Sequence, residues 1–199
     1  MLVAYTDILN HEYKKQKIKN PFFAKRIKEL SCPANKTRSY LSYLLLRAMV
    51  KDIYSLDLDN IKIIRNEAGK PLCEKNEFYF NISHSKNYVA VAVDILPVSI
   101  DIEQMHEYDS RIANKLFPDQ VETIDLARNQ KEEFTKQWTK YECQIKLFGS
   151  IKELKMHSQN KIFERSFVLS NLLGDDYFLS VASLRNDDVH FATVSKYNL

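Results

Sequence analysis

Hydrophobic and polar positions along the 199-residue chain follow two rhythms that change over several times. Met1–Asp7 is a short apolar stretch that reads as a strand. Asn20-Pro21 has the form of an N-cap and first helical turn, opening a helix to about Leu30. From about Ala34 to Tyr54 the apolar residues Leu41, Leu44, Leu45 and Ala48 recur at helical spacing and predict a longer helix. Strands then follow at Ile61–Arg65, Phe78–Ile82 and Tyr88–Asp94, with a turn at Glu67–Pro71. Pro97 interrupts the run before another strand, Val98–Glu103. Pro118–Arg128 and Lys131–Phe148 return to the helical period. In the second of these, Phe134, Trp138, Tyr141, Ile145 and Phe148 form one stripe, predicted to face the core. The chain ends in strands near Phe167–Leu169, Tyr177–Ser183 and Val189–Ser195. Helices grouped with antiparallel strands predict an α+β fold.

Two segments echo each other: Tyr79-Phe80-Asn81-Ile82-Ser83-His84-Ser85 and Tyr177-Phe178-Leu179-Ser180-Val181-Ala182-Ser183. Each is read as preceding an alternating strand. The echo points to two related halves meeting near Pro97, residues 1–97 and 98–199, and active sites often lie in a cleft between such halves. With only three glycines and five prolines, no linker or low-complexity segment is expected. No apolar run approaches the ~20 residues that span a bilayer, and the first residues carry no leader-like pattern. Three scattered cysteines, Cys32, Cys73 and Cys143, with no C-x-x-C, argue against a disulfide frame or zinc site. A soluble cytoplasmic protein is the expectation.

The net charge is +3, unevenly placed. Residues 1–98 hold 16 Lys and Arg against 10 Asp and Glu, whereas residues 99–199 hold 13 against 16. Nine basic residues and two acids lie between Asn10 and Arg38. Such a run is ordinarily a solvated helix face. It equally suits a polyanion: nucleic acid, an acidic protein or a nucleotide.

The chemistry-bearing residues fall in three places. On the strand Val98–Glu103, side chains alternate, so Ser99, Asp101 and Glu103 share a face opposite Val98, Ile100 and Ile102. Two carboxylates side by side repel unless something positive intervenes, and Mg²⁺ takes one or two carboxylates together with substrate phosphates and water. A half-buried strand with a polar outer face would give the same pattern. Glu142 and Lys146 sit one turn apart on the flank of the aromatic helix, where they form either a surface i,i+4 ion pair or part of a lined cleft. His84 stands between two serines after Asn81, in what reads as a turn able to donate hydrogen bonds to phosphate oxygens. Gly69-Lys70-Pro71 is a turn that fixes a lysine, and Arg38 and Ser39 lie near the start of the long helix in a basic neighbourhood. His11, His106, His157 and His190 have no evident partners and are taken as background.

In this order and spacing, Gly69-Lys70-Pro71, Phe80-Asn81-Ile82-Ser83-His84-Ser85, Ile100-Asp101-Ile102-Glu103 and Trp138 with Glu142 and Lys146 resemble the 4'-phosphopantetheinyl transferase superfamily, Sfp-type. The match covers residues 69–146 and extends weakly to Arg38-Ser39. The resemblance implies a pseudo-twofold pair of α+β halves with coenzyme A in the cleft between them. It implies transfer of the phosphopantetheine arm of coenzyme A to a serine of an apo acyl, peptidyl or aryl carrier protein, releasing adenosine 3',5'-bisphosphate. By the same resemblance Asp101 and Glu103 hold Mg²⁺, and Glu142 is the third ligand or the base for the serine. Lys146 offsets charge on the phosphates. Lys70, Ser83 and His84, with Arg38 and Ser39, grip coenzyme A, and Arg26 or Lys25 reaches its 3'-phosphate. A monomer with internal pseudo-symmetry is implied, with neither nucleic acid nor membrane as partner.

Two departures stand out. The family has Gly where Ser99 stands, two residues before Asp101, and Lys where Tyr141 precedes Glu142; Tyr141 is read as a packing change, with Lys140 able to substitute. The competing readings are a metal-dependent nuclease or phosphodiesterase, and a non-catalytic module that binds carrier proteins.

Overall fold

The computed structural model describes residues 1–9, 18–149, 166–185 and 188–192. His11 and His157, the last three residues of the strand expected at Val189–Ser195, and part of the basic run lie outside the described residues. The chain divides into two compact units, one built on residues 1–98 with the strand His190–Ala192, the other on the described residues from Ser99 to Arg185.

The first unit is a four-stranded sheet carrying a long helix. Its strands are β1 (Leu2–Asp7), β4 (Tyr79–Ser85), β5 (Tyr88–Asp94) and β9 (His190–Ala192), in the order β4-β5-β1-β9. The β4-β5 and β1-β5 pairs are antiparallel, but β9 runs parallel to β1, joining residues nearly a chain length apart. The helix α1 (Pro21–Glu29) starts as the sequence predicts: the Asn20 side chain accepts from the Phe22 N–H at 3.1 Å, and Pro21 occupies the first turn. Asn20 also donates to the Leu58 and Ile61 carbonyls at 2.7 and 3.0 Å, so this fully buried polar residue is satisfied three times over. The 22-residue helix α2 (Pro33–Tyr54) buries Leu45, Leu46, Met49 and Val50 against Phe78, Phe80, Val89, Val91 and Val93 of the sheet side. A hairpin of β2 (Ile63–Arg65) and β3 (Pro71–Cys73) completes the unit; its turn needs Gly69, whose φ is +80°.

The second unit places helix α5 (Gln130–Phe148) against a three-stranded sheet, order β6-β8-β7, formed by β6 (Val98–Gln104), β7 (Phe167–Leu173) and β8 (Tyr177–Ser183). Two short helices, α3 (Ser110–Leu116) and α4 (Val121–Asp125), pack beside α5. The expected aromatic stripe of α5 is buried only at Phe134. The residues that α5 buries completely are Thr135, Thr139 and Cys143, small enough to let the helix lie close on β8. The aromatic residues turn sideways instead: Phe117, Phe134, Trp138 and Tyr141 join Tyr108 in a cluster with α3 and α4, ring centroids 5.5–6.2 Å apart. Tyr141 packs on Phe117 at 6.0 Å, which gives the departure at that position a packing role.

The mixed α+β class expected from the sequence is observed. The two echoing segments are themselves strands, β4 and β8, each followed by a further strand, and β4 runs three residues beyond the expected Ile82. In consequence His84 belongs to β4, paired with Val89, and the turn comes later at Lys86, whose φ is +47°. No helix among the described residues is long and apolar enough to cross a membrane.

Candidate functional site

Two sets of polar groups stand out, one in each unit. In the second unit, β6 is buried over its first five residues, so the half-buried strand with a solvated outer face is excluded. Ile100 and Ile102 are fully buried on one face, and Asp101, on the other, is only 2% exposed. A carboxylate so placed is costly unless a cation accompanies it. Lys146 supplies one, its Nζ standing 2.5 Å from Asp101 Oδ1 and 3.4 Å from the Ile100 carbonyl. Lys146 thus reaches across from α5 to β6. Glu142, one turn earlier on α5, is pushed above the ordinary carboxylate range by burial first, then by the negative charge of Asp101 and, more weakly, of Glu103; Lys146 opposes this. Asp101 and Glu103 on β6 and Glu142 and Lys146 on α5, two pairs distant in sequence, therefore share one electrostatic neighbourhood.

A buried polar seam fixes that neighbourhood. Ser99 Oγ donates to the Cys143 carbonyl at 2.7 Å and touches Cys143 Sγ at 3.2 Å. Cys143 Sγ approaches the Ser180 carbonyl at 3.4 Å. Ser180 Oγ in turn bonds Thr139 Oγ1 at 2.8 Å and Ser170 Oγ at 2.6 Å. Ser99, Thr139, Cys143 and Ser180 are all fully buried. The hydroxyl of Ser99 therefore ties β6 to α5 at the residue after Glu142, and the departure from glycine has a structural use. None of this seam was legible as chemistry in the sequence; small hydroxyls spaced along a strand and a helix give no distinctive signal.

The donor set suits a hard divalent cation: oxygen ligands only, three carboxylates in mutual repulsion, and one lysine to balance them. As the side chains stand, no group of three or more His, Cys, Asp or Glu residues among the described residues is gathered closely enough to hold an ion. His106, read as background, has two neighbours: Glu103 Oε2 at 3.5 Å and the Trp138 ring at 6.2 Å. Its backbone N–H bonds Thr135 Oγ1 at 2.8 Å, which anchors the chain leaving β6 to α5.

In the first unit a cavity of about 210 Å³ is lined by Phe22, Phe23, Arg26, Ser39, Ser42, Arg65, Gly69, Pro71, Ile82 and His84. It gathers Arg26, Ser39 and His84 from three distant segments. Lys25 lies elsewhere, 79% exposed and 3.9 Å from Glu29. Arg38 is not among the lining residues; it donates to the Lys86 carbonyl at 2.5 Å and to Asn35 Oδ1, bracing the β4-β5 turn against α2. Lys70 Nζ reaches the Val98 carbonyl at 3.4 Å, and Ser83 is buried on the strand face opposite His84. Arg65 and the two phenylalanines were not singled out from the sequence. The available signal was positional: Arg65 pairs across the hairpin with Pro71.

The second unit thus carries acids of β6 and α5 with a lysine, and the first unit a separate basic, partly aromatic cavity. Residues 14–96 match the family model described as 4'-phosphopantetheinyl transferase, N-terminal. The chain is 39% identical to 4'-phosphopantetheinyl transferase gsp from Aneurinibacillus migulanus over 115 residues, 56% of this chain and 48% of the relative. Over 116 residues it is 34% identical to a 4'-phosphopantetheinyl transferase of Bacillus pumilus, covering 56% of this chain and 50% of that one. It is 33% identical over 126 residues to 4'-phosphopantetheinyl transferase Sfp of Bacillus subtilis (strain 168), 61% of this chain and 56% of the relative. The resemblance to the Sfp-type transferases is thereby shown over the matched residues, and the chain spans about half the length of the curated relatives it matches.

Proposed function

We propose that this protein transfers the 4'-phosphopantetheine arm of coenzyme A to a serine of an apo carrier protein and releases adenosine 3',5'-bisphosphate. The observation that carries the reading is the buried Asp101–Lys146 pair with Glu142 and Glu103 in its field, at the positions where the sequence resembles the Sfp-type transferases.

In this reading Asp101 and Glu103 would hold Mg²⁺, which would neutralise the diphosphate of coenzyme A and polarise its phosphorus–oxygen bond, and of the two roles open to Glu142, third ligand or base, its surroundings favour the base. The chain's own groups position and balance charge, which is most of what phosphoryl-type transfer asks of a protein. Lys146, held by Asp101, would present its ammonium to a phosphate oxygen as well. Glu142 has the properties of a proton acceptor: burial and like charge raise its basicity above that of an exposed carboxylate. It takes the proton of the acceptor serine as the serine oxygen bonds to the phosphorus carrying the pantetheine arm. The bridging phosphorus–oxygen bond breaks and its electron pair leaves on the adenosine bisphosphate. The cavity of the first unit takes the nucleotide end, its phenylalanines and Pro71 packing on the base or sugar and Arg26, Ser39 and His84 meeting phosphate. At about 210 Å³ it is smaller than the roughly 300–1,000 Å³ of sites that enclose whole ligands, as befits a subsite for one end of a long molecule.

The test is stoichiometric. With coenzyme A, magnesium and an apo carrier protein, adenosine 3',5'-bisphosphate must appear in step with modified carrier and at no measurable rate with Asp101→Asn, while circular dichroism of that variant stays unchanged. Nucleotide release without carrier modification would identify a hydrolase and defeat the reading.

A further inference from the structure

Arg65 stands at the first unit's cavity with a fixed side chain. Its Nη1 donates to the Gly69 carbonyl at 2.5 Å, and its guanidinium carbon lies 5.1 Å from the centroid of the Phe22 ring. These contacts come from the hairpin turn on one side and from α1 on the other, so the planar group is held, and among the described residues its other N–H donors take no partner. Across the cavity, burial and the facing charge of Arg65 push Arg26 below the ordinary arginine value. Among the described residues neither arginine forms an ion pair with a carboxylate, although ion pairs engage Lys62 and Lys25 nearby in the chain. Two like charges turned toward one hollow, with Ser39, Ser42 and His84 around them and an apolar floor of Phe22, Phe23, Pro71 and Ile82, make an unneutralised cation pair. Such a pair suits a dianion attached to an apolar body, and two guanidiniums match the charge of a phosphomonoester better than that of a phosphodiester.

We propose that Arg65 is a specificity-determining residue that, together with Arg26, reads the phosphomonoester on the ribose of the nucleotide substrate and so favours coenzyme A over its 3'-dephosphorylated form. The inference deepens the proposed function and rests on it. Arg65 belongs to this site because of the hairpin, since Gly69 supplies both the turn and the carbonyl that orients the guanidinium.

The experiment compares the wild-type protein with Arg65→Gln and Arg65→Lys by isothermal titration calorimetry against four ligands. These are coenzyme A, 3'-dephospho-coenzyme A, adenosine 3',5'-bisphosphate and adenosine 5'-monophosphate. Losing one charge-assisted contact weakens Arg65→Gln binding of the two 3'-phosphorylated ligands by about 10- to 100-fold and leaves the two that lack a 3'-phosphate within about twofold. Arg65→Lys recovers only part of the loss, because a lysine cannot reproduce the held planar fork. A uniform weakening toward all four ligands marks a merely structural role and overturns the proposal, as does unchanged binding of all four. If the wild-type protein binds coenzyme A but the Arg65→Gln preference equals that of wild type, only this inference fails. If the wild-type protein binds none of the four, the functional reading fails and takes the inference with it.

Discussion

Removing the ammonium of Lys146 while keeping its aliphatic length, as in Lys146→Met, leaves the Asp101 carboxylate in place with its nearest cation gone. Asp101 is 2% exposed and its Oδ1 lies 2.5 Å from Lys146 Nζ, whereas the lysine side chain is 29% exposed. Deleting one partner of a buried pair costs about 3–5 kcal/mol, and the partial exposure of Lys146 places this pair at the lower end, about 3 kcal/mol. For a chain of this size each kcal/mol moves the midpoint by about 2–4 °C, so Lys146→Met should melt about 6–12 °C lower. The assay is urea and thermal denaturation of the wild type, Lys146→Met, Asp101→Asn and the double variant. The double variant should recover most of the loss, since it leaves no buried charge, and the coupling should exceed about 2 kcal/mol. A Lys146→Met penalty below about 1 kcal/mol, or simple additivity in the cycle, would refute the claim that the pair is buried and mutually dependent.

Glu142→Gln should remove transfer activity while raising the melting temperature at neutral pH. The sign follows from linkage: a carboxyl whose folded pKa lies above its unfolded value is destabilising wherever it is ionised in both states, and this is relieved as pH falls through the folded pKa toward the unfolded one. Ser180→Ala removes a hydroxyl bonded to both Thr139 and Ser170, and should cost about 1–3 kcal/mol by chemical denaturation, with no compensating change in solvent exposure. Gly69→Ala meets no atom within 4 Å, so its cost is that of the +80° backbone alone, about 1–2 kcal/mol in the same assay; a neutral effect would mean the turn readily changes type.

Periodicity made the long elements legible. The ends of α2 and α5 fall within a residue of where capping and apolar spacing put them, and β5 and β8 match their expected spans. Short elements were not: β3 is three residues hidden behind Pro71, and α3 announces itself only through its cap, Asp109, which accepts from Arg111 and Ile112. The parallel pairing of β9 with β1 is a nonlocal contact that no window along the chain contains. Acid and lysine positions were readable because chemistry restricts residue type, but their meaning was not: Glu142 and Lys146 look like a surface pair until α5 is laid on β6. Arg38, chosen for its charge, braces a turn instead, whereas Arg65, equally charged and passed over, lines the cavity. Charge alone cannot separate these two arginines; the partner carbonyls, Lys86 for one and Gly69 for the other, do so.

The most direct measurement is the intact mass of an apo carrier protein after incubation with this protein, coenzyme A and magnesium. The account predicts a gain of one phosphopantetheine arm, mapped to a single serine and lost with Asp101→Asn. A carrier that an authentic transferase loads, left at its apo mass by this protein with coenzyme A bound, would contradict it.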